Sequence, residues 1–464
     1  MQSTQPDASA MFATHFASCG YDDIDPAAIE IARKSLLDTL GVSIAASGLD
    51  PDAARLAEIA LAFPSDRGCR IIGFPGRVAA PAAAWVNGGL GHLLDFDDIG
   101  YDSFTHPSGA VLATVLAAAE HVGNVSGKEL LASLALGQDM VIRLSLSLDW
   151  TSVSKMPWLP FPLAGCFASA AAAARILRLD QRGVQSAISI ALAHASGAGE
   201  LMHGSLRCLY NSWAAQGGLL AALMARAGVQ GPSHPLEGPR GFFAVYWNGA
   251  YDRQPLLNGL GTRFENIGTG FKPWPSCSVT HPSIDATLSL RKEHAIEPAH
   301  IEKIVVRVSE AAALQTEPLE QKRRPSTSAD AKFSVPFCVA LAACRGAVLL
   351  DDFKLDALRD PTVLTLADRV WIESDRSLKA FRGVDPSVVE ITLRDGRSVT
   401  RRIDIVLGHH RNPISFEAVA DKFSACARHS RTLISAERVQ DVVDTVERIE
   451  ALPDVRALMD IVCE

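Results

Sequence analysis

Residues 25–48, DPAAIEIARKSLLDTLGVSIAASG, set the fold class. Asp25 is a helix-capping residue type, and Pro26 suits the first helical position, where its missing N–H leaves no bond unmade. Ile29, Ala32, Leu36, Leu40 and Ile44 then recur at helical spacing and lay one apolar face along the segment. Gly48 is expected to end it. Outward from this helix, Ala/Leu-rich runs at 52–63, 108–122, 127–147, 163–178, 182–196 and 213–227 repeat the pattern. Alanine at helix contacts lets backbones approach closely, so these runs predict a dense helical bundle. Gly and Pro at 228–240 punctuate its end.

The pattern changes near residue 267. IEKIVVRV at 301–308 is rich in β-branched residues, and 369–372 is a second strand candidate. Residues 388–393 and 399–403 flank Asp395-Gly396, the signature of a β-hairpin turn. Runs at 335–347 and 355–366 are helical in pattern. From Ser415 the helical period returns, with Phe416, Val419 and Phe423, then Val439, Val443 and Val446, on apolar faces. The expected fold is mainly α with an inserted α+β domain. Residues 1–266 and 403–464 form the helical domain, and 267–402 form the insert. No internal repeat and no low-complexity segment interrupts this plan.

At 464 residues and 48% hydrophobic content, the chain has ample material for a buried core. A net charge of −8 without a Lys/Arg run gives no electrostatic footprint for nucleic acid. An anionic small molecule stays compatible, because a few buried cations can bind one inside an acidic protein. The nine cysteines are odd in number and include no C-x-x-C pair, a pattern of free thiols in a reducing compartment. The first ten residues, MQSTQPDASA, lack a basic region and an apolar core, so a cytoplasmic location without a signal peptide is expected. The apolar stretch at 163–174 is too short and Ala-rich for a membrane span.

Four polar clusters could carry chemistry. The densest is His92-Leu-Leu-Asp95-Phe-Asp97-Asp98, followed by Tyr101, Asp102 and Thr105-His106-Pro107-Ser108, at the end of an Ala-rich helix. A His and an Asp on one loop serve as acid and base, or as base and orienter. The alternative is a capping aspartate and a hydrogen-bonded loop histidine. His92, Asp95, Asp98 and His106 are also metal-ligating types, though their spacing matches no defined metal motif. The second cluster is Gly270-Phe-Lys272-Pro-Trp-Pro-Ser-Cys277, with His281 beyond it. A lysine among apolar and proline residues is an anion clamp, a base, or a packed stem with a wet ammonium. Cys277 beside His281 has no spacing specific to a nucleophile, and a buried inert thiol is the simpler reading. The third holds Glu200, His203, Arg207 and Tyr210, where Arg207 could grip a carboxylate with two parallel bonds. In the fourth, Asp330-Ala-Lys332-Phe-Ser334, capping is the default role of Ser334.

Together these segments resemble the MmgE/PrpD family. The resemblance lies in LLDTLGVSIAASG (36–48), NGGLGHLLDFDD (87–98), THPSGAV (105–111), AAQGGLLAALMARAG (214–228), FKPWPSC with His281 (271–281) and DAKFSVPF (330–337). GHHRNP (408–413) and Asp421-Lys422-Phe423 add to it. It runs through nearly the whole chain in the family's order. It implies a large discontinuous helical domain, a smaller α+β lid domain, a homodimer, an active site between the domains, and neither metal nor organic cofactor. It gives Asp95, His106 and Lys272 catalytic roles and His281 a nearby polar one. Arg207 stands where dehydratase and decarboxylase relatives have lysine. Ile99, Leu159 and Phe337 stand where such relatives have threonine, histidine and tyrosine.

A hydrogen beside a carboxylate is a weak acid, so its removal calls for a base and for fixed positive groups near the growing charge. The expected division of labour has Lys272 and Arg207 as carboxylate clamp and His106, oriented by Asp95, as acid/base. Lys272 is the alternative base. His281, Tyr210, His203, Asp98 and Ser334 are substrate-binding candidates. The expected reaction is that of a hydro-lyase of the 2-methylcitrate dehydratase type on a small di- or tricarboxylate. The alternatives are an epimerase of an iminodisuccinate-like substrate, a cis-aconitate-type decarboxylase, and a non-catalytic carboxylate-binding dimer.

Overall fold

The computed structural model describes residues 6–148, 157–202, 209–378 and 386–463. The chain forms two compact units, Met1–Thr269 with Ser415–Glu464, and Gly270–Ile414. The return to the helical unit comes at Ser415, beyond the expected residue 403. Residues 404–414 are tied to the second unit by their own bonds: Gly408 accepts from the Phe271 N–H (2.8 Å), and Val406 and His409 are buried.

The first unit is a helical bundle. Asp25 caps helix Pro26–Leu49 by accepting from the Ala27 N–H, and Ile29, Ala32, Leu36, Leu40 and Ile44 are all buried. Gly48 does not end this helix, which runs on to Leu49. A Cβ at Gly48 would sit 2.2 Å from the His429 carbonyl oxygen, so the glycine serves a close backbone approach. At the centre, helix Leu209–Arg226 packs against Pro160–Ile176, Ala80–Leu90 and Gln181–Ala191. Helix Phe416–Ala427 packs on Pro26–Leu49, so the C-terminal return is part of the bundle. No helix among the described residues is long and apolar enough to cross a membrane.

The bundle also holds an antiparallel hairpin, Pro64–Ile71 with Phe74–Val78, within a stretch expected to be helical. Gly73, at φ 78°, makes its turn. Asn87 on helix Ala80–Leu90 ties the hairpin down, accepting from the Ile72 N–H (3.0 Å) and donating to the Arg70 carbonyl (3.0 Å).

The second unit is a four-stranded sheet in the order Val370–Ser374, Ile301–Val308, Ser387–Leu393, Ser398–Ile403. The first pair is parallel and the other two are antiparallel. Gly396, at φ 87°, completes the hairpin turn that Asp395-Gly396 signals. Helices His281–Glu293 and Val335–Arg345 pack on the sheet. The run at 355–366 is not one helix. Asp360 caps Pro361–Ala367 through the Thr362 N–H, and only a short 3-10 turn, Ala357–Arg359, precedes it.

Candidate active site

Helix Ala80–Leu90 delivers the site. Gly88 and Gly89 let it lie directly on helix Leu209–Arg226, since a Cβ on either would come 2.7 Å from the Asn211 carbonyl oxygen or 2.5 Å from the Ser212 hydroxyl. Past Leu90 the chain makes one further turn, in which the Asp95 N–H bonds the His92 carbonyl, and Asp95 then takes φ 53°. Aspartate tolerates that left-handed conformation better than most residues. The loop continues through a tight reversal. Gly100 N–H donates to the Thr105 carbonyl (2.9 Å), and Ser103 Oγ lies 2.7 Å from Thr105 Oγ1. This reversal brings His106 back beside His92.

The two imidazoles share one carboxylate. His92 Nδ1 lies 2.9 Å and His106 Nδ1 3.0 Å from the same oxygen, Asp97 Oδ2. His106 Nδ1 is also 3.1 Å from the Asp98 carbonyl oxygen. Carboxylate and carbonyl oxygens only accept, so both Nδ1 atoms carry protons and each neutral ring keeps a basic Nε2. The ring centroids are 4.5 Å apart, and Phe161 stands 6.0 and 5.4 Å from the two rings. Burial alone would raise the pKa of Asp97, but the two imidazoles facing it hold the carboxyl well below its usual range. Asp97 is therefore held as an anion between the two rings.

Asp98, its neighbour, behaves in the opposite sense. Burial pushes its pKa up to about 7, with the nearby Asp38 and Asp97 adding to the rise and the hydroxyls of Ser108 and Ser35 opposing it. Ser35 donates to Asp98 Oδ2 (2.7 Å), as does Ser108. Gln138 in turn donates to Ser108 Oγ (2.7 Å), and Asn266 to Gln138 (3.1 Å). Asp98, expected among the substrate-binding residues, is fully buried in this network, with its carboxyl facing the Ser35 and Ser108 hydroxyls. Beneath the loop, Lys422 pairs with Asp38 (2.7 Å) and donates to the Phe96 carbonyl (2.6 Å).

The remaining candidates divide as follows. The carboxylate bonded to His106 is that of Asp97, where the expected partner was Asp95; Asp95 itself is buried in the exit turn. Tyr210 donates to the Ala198 carbonyl (3.0 Å), and its ring lies 5.8 Å from Phe161, on that ring's way to the imidazoles. His203 and Arg207 lie outside the described residues. Lys272 and His281 belong to the second unit, where both are buried. His281 opens helix His281–Glu293, with Nε2 3.1 Å from the Ser276 carbonyl and Trp274 edge-on at 5.3 Å. Ser334 accepts from the Phe337 N–H (3.1 Å) and donates to the Lys322 carbonyl. Expected among the substrate-binding residues, it is the cap of helix Val335–Arg345. In GHHRNP, His409 accepts from the Arg411 N–H (3.0 Å), a structural use of the ring.

The residues that sequence reasoning missed are Asp97 as orienter and His92 as a second imidazole. Their spacing was visible, but which of four neighbouring acids faces a histidine depends on the φ of Asp95 and on the 100–105 reversal. His92, Asp97 and His106 also form a group whose donor atoms lie within 4.8 Å of one another and could hold a metal. As arranged, both Nδ1 atoms turn to one oxygen, Asp97 Oδ2.

An imidazole pair on a buried carboxylate, set at the end of a helix in a helical bundle, has the groups that acid/base chemistry uses. Residues 10–254 match the MmgE/PrpD N-terminal domain and residues 274–448 the MmgE/PrpD C-terminal domain, so the chain belongs to the MmgE/PrpD family. Among similar proteins, cis-aconitate decarboxylase of Mus musculus is 28% identical over 441 residues, covering 93% of this chain and 88% of the relative. The Homo sapiens cis-aconitate decarboxylase is 27% identical, covering 96% and 92%. The 2-methylcitrate dehydratase of Escherichia coli is 23% identical, covering 93% of each.

Proposed function

We propose that this protein is a lyase that moves protons on a small di- or tricarboxylate, with His106 as its acid/base. The observation that supports this is the Nδ1–H of His106 held by Asp97 and the Asp98 carbonyl, which leaves Nε2 as the proton-exchanging atom. A carboxylate that fixes the tautomer and balances the imidazolium is what general acid/base catalysis by histidine requires. Lys272 and Arg207 take the role of cations pairing with substrate carboxylates, and Asp95, His281, Tyr210 and His203 that of further substrate contacts. The reaction proposed is dehydration of a hydroxy-carboxylate of the 2-methylcitrate type. The two mammalian relatives named for cis-aconitate decarboxylation, 28% and 27% identical, are more similar than the 2-methylcitrate dehydratase of Escherichia coli at 23%, which supports decarboxylation as the second reading.

The experiment is a thermal-shift screen of di- and tricarboxylic acids, followed by proton NMR of the hits in D₂O. Deuterium entering carbon reports proton transfer whichever product forms. His106→Ala is expected to lower turnover about a hundredfold or more with the fold intact. Stabilisation by polycarboxylates with no exchange and no turnover would make the protein a binding module.

A further inference from the structure

We propose that His92 is the second proton-transfer residue of the site, and that the two imidazoles on Asp97 work as one acid and one base. This rests on the lyase reading above. Three observations carry it.

The first is the tautomer. His92 Nδ1 spends its proton on Asp97 Oδ2 (2.9 Å), as His106 Nδ1 does (3.0 Å), so both rings offer Nε2 to chemistry. The second is charge. Both rings reach the one carboxylate oxygen Asp97 Oδ2, and their centroids are 4.5 Å apart. Two imidazoliums that close repel, so one carboxylate stabilises one extra proton on the pair. Of the neighbouring buried acids, Asp98 directs its carboxyl to Ser35 and Ser108, and Asp38 directs its own to Lys422. Neither supplies a counter-charge for a second imidazolium. The third is proximity: edge-on rings at that separation can address hydrogen and oxygen on adjacent carbons of one substrate.

The elimination then balances. Neutral His106 takes the proton from the carbon beside a carboxylate, leaving the C–H electron pair on that carbon and its carboxylate, and the pair then forms the new C=C bond. The neighbouring C–O bond breaks with its pair on oxygen, and protonated His92 gives that oxygen its Nε2 proton, releasing water. His106 ends protonated and His92 neutral. The pair carries one positive charge before and after, so the buried Asp97 never faces a change in total charge. Exchange with solvent resets the two rings.

The test is His92→Asn, which keeps an amide donor for Asp97 and removes the proton carrier. Purified wild type and variant are given 2-methylcitrate in D₂O. Alkene formation and deuterium entry into unreacted substrate are followed together by proton NMR. The expected result is elimination lowered at least about a hundredfold, with exchange into substrate kept within about tenfold. Imidazole added to His92→Gly is expected to restore part of the elimination. Elimination within about fivefold of wild type overturns the proposal. So does an equal fall of exchange and elimination in a folded His92→Asn protein without imidazole rescue of His92→Gly, the mark of a purely structural ring. Failure of the lyase reading looks different: wild type then shows neither exchange nor elimination, or His106→Asn leaves both untouched.

Discussion

The Lys422 ammonium lies 2.6 Å from the Phe96 carbonyl oxygen and 3.7 Å from the centroid of the Phe96 ring. One side chain from helix Phe416–Ala427 thus holds both backbone and side chain of the residue just before Asp97. Its charge is balanced by Asp38, on helix Pro26–Leu49. Lys422→Met strands the buried Asp38 carboxylate, and breaking a buried pair on one side costs about 3–5 kcal/mol. Urea denaturation is expected to show that loss, with Asp38→Asn combined with Lys422→Met recovering part of it.

Asp97→Asn is expected to lower turnover on the order of a hundredfold or more, because the imidazolium of the pair loses its counter-ion. It also changes the acid limb of the stability curve. The folded-state pKa of Asp97 lies well below 3.8, so its stabilisation is full above that ordinary value and fades as pH falls through the lower folded one. Stability measured by denaturant between pH 5 and pH 2 is expected to fall less steeply in the variant.

Asp98 gives the opposite sign. Its carboxyl is raised to about 7 from 3.8, so the folded state favours the protonated form. Below the ordinary value this costs nothing. Between about pH 4 and 7 the unfolded chain releases the proton first, and stability declines by an amount on the order of 4 kcal/mol. Asp98→Asn is expected to flatten that decline, so that its stability relative to wild type improves from pH 5 to pH 8. Denaturation midpoints at those two values check it.

Gly48→Ala places a methyl 2.2 Å from the His429 carbonyl oxygen. Backbone cannot swing aside as a flexible side chain can, and overpacking of this kind costs about 1–3 kcal/mol. A lower melting temperature is expected. A control, Gly228→Ala, meets no atom within 4 Å, and any loss there comes from its φ of 91° alone.

Much of the architecture was legible in the sequence because local chemistry and tertiary role agree there. Asp25-Pro26 starts a helix, Asp395-Gly396 turns a hairpin, and Ile301–Val308 is a strand at the length its β-branched run suggests. The misreadings fall where long-range packing decides. Gly48 looks like a stop because a helix end and a close approach select the same residue. The hairpin at 64–78 was hidden by its Arg, Gly and Pro content, and it is held by Asn87 from another element. At the site, the sequence singled out His106 and the cluster of acids, but not their pairing. Asp97 and Asp98 are adjacent and identical in type. One faces two imidazoles and ionises readily, whereas the other faces hydroxyls in a buried network and holds its proton.

The brace from Lys422 has a consequence for biosynthesis. Asp38 is made well before Lys422, and all of Gly270–Ile414 lies between them in the chain. Until Lys422 is made, the loop bearing the histidine pair lacks this fastening and Asp38 lacks this cation. The histidine loop is therefore braced only once the return segment that begins at Ser415 has been synthesised.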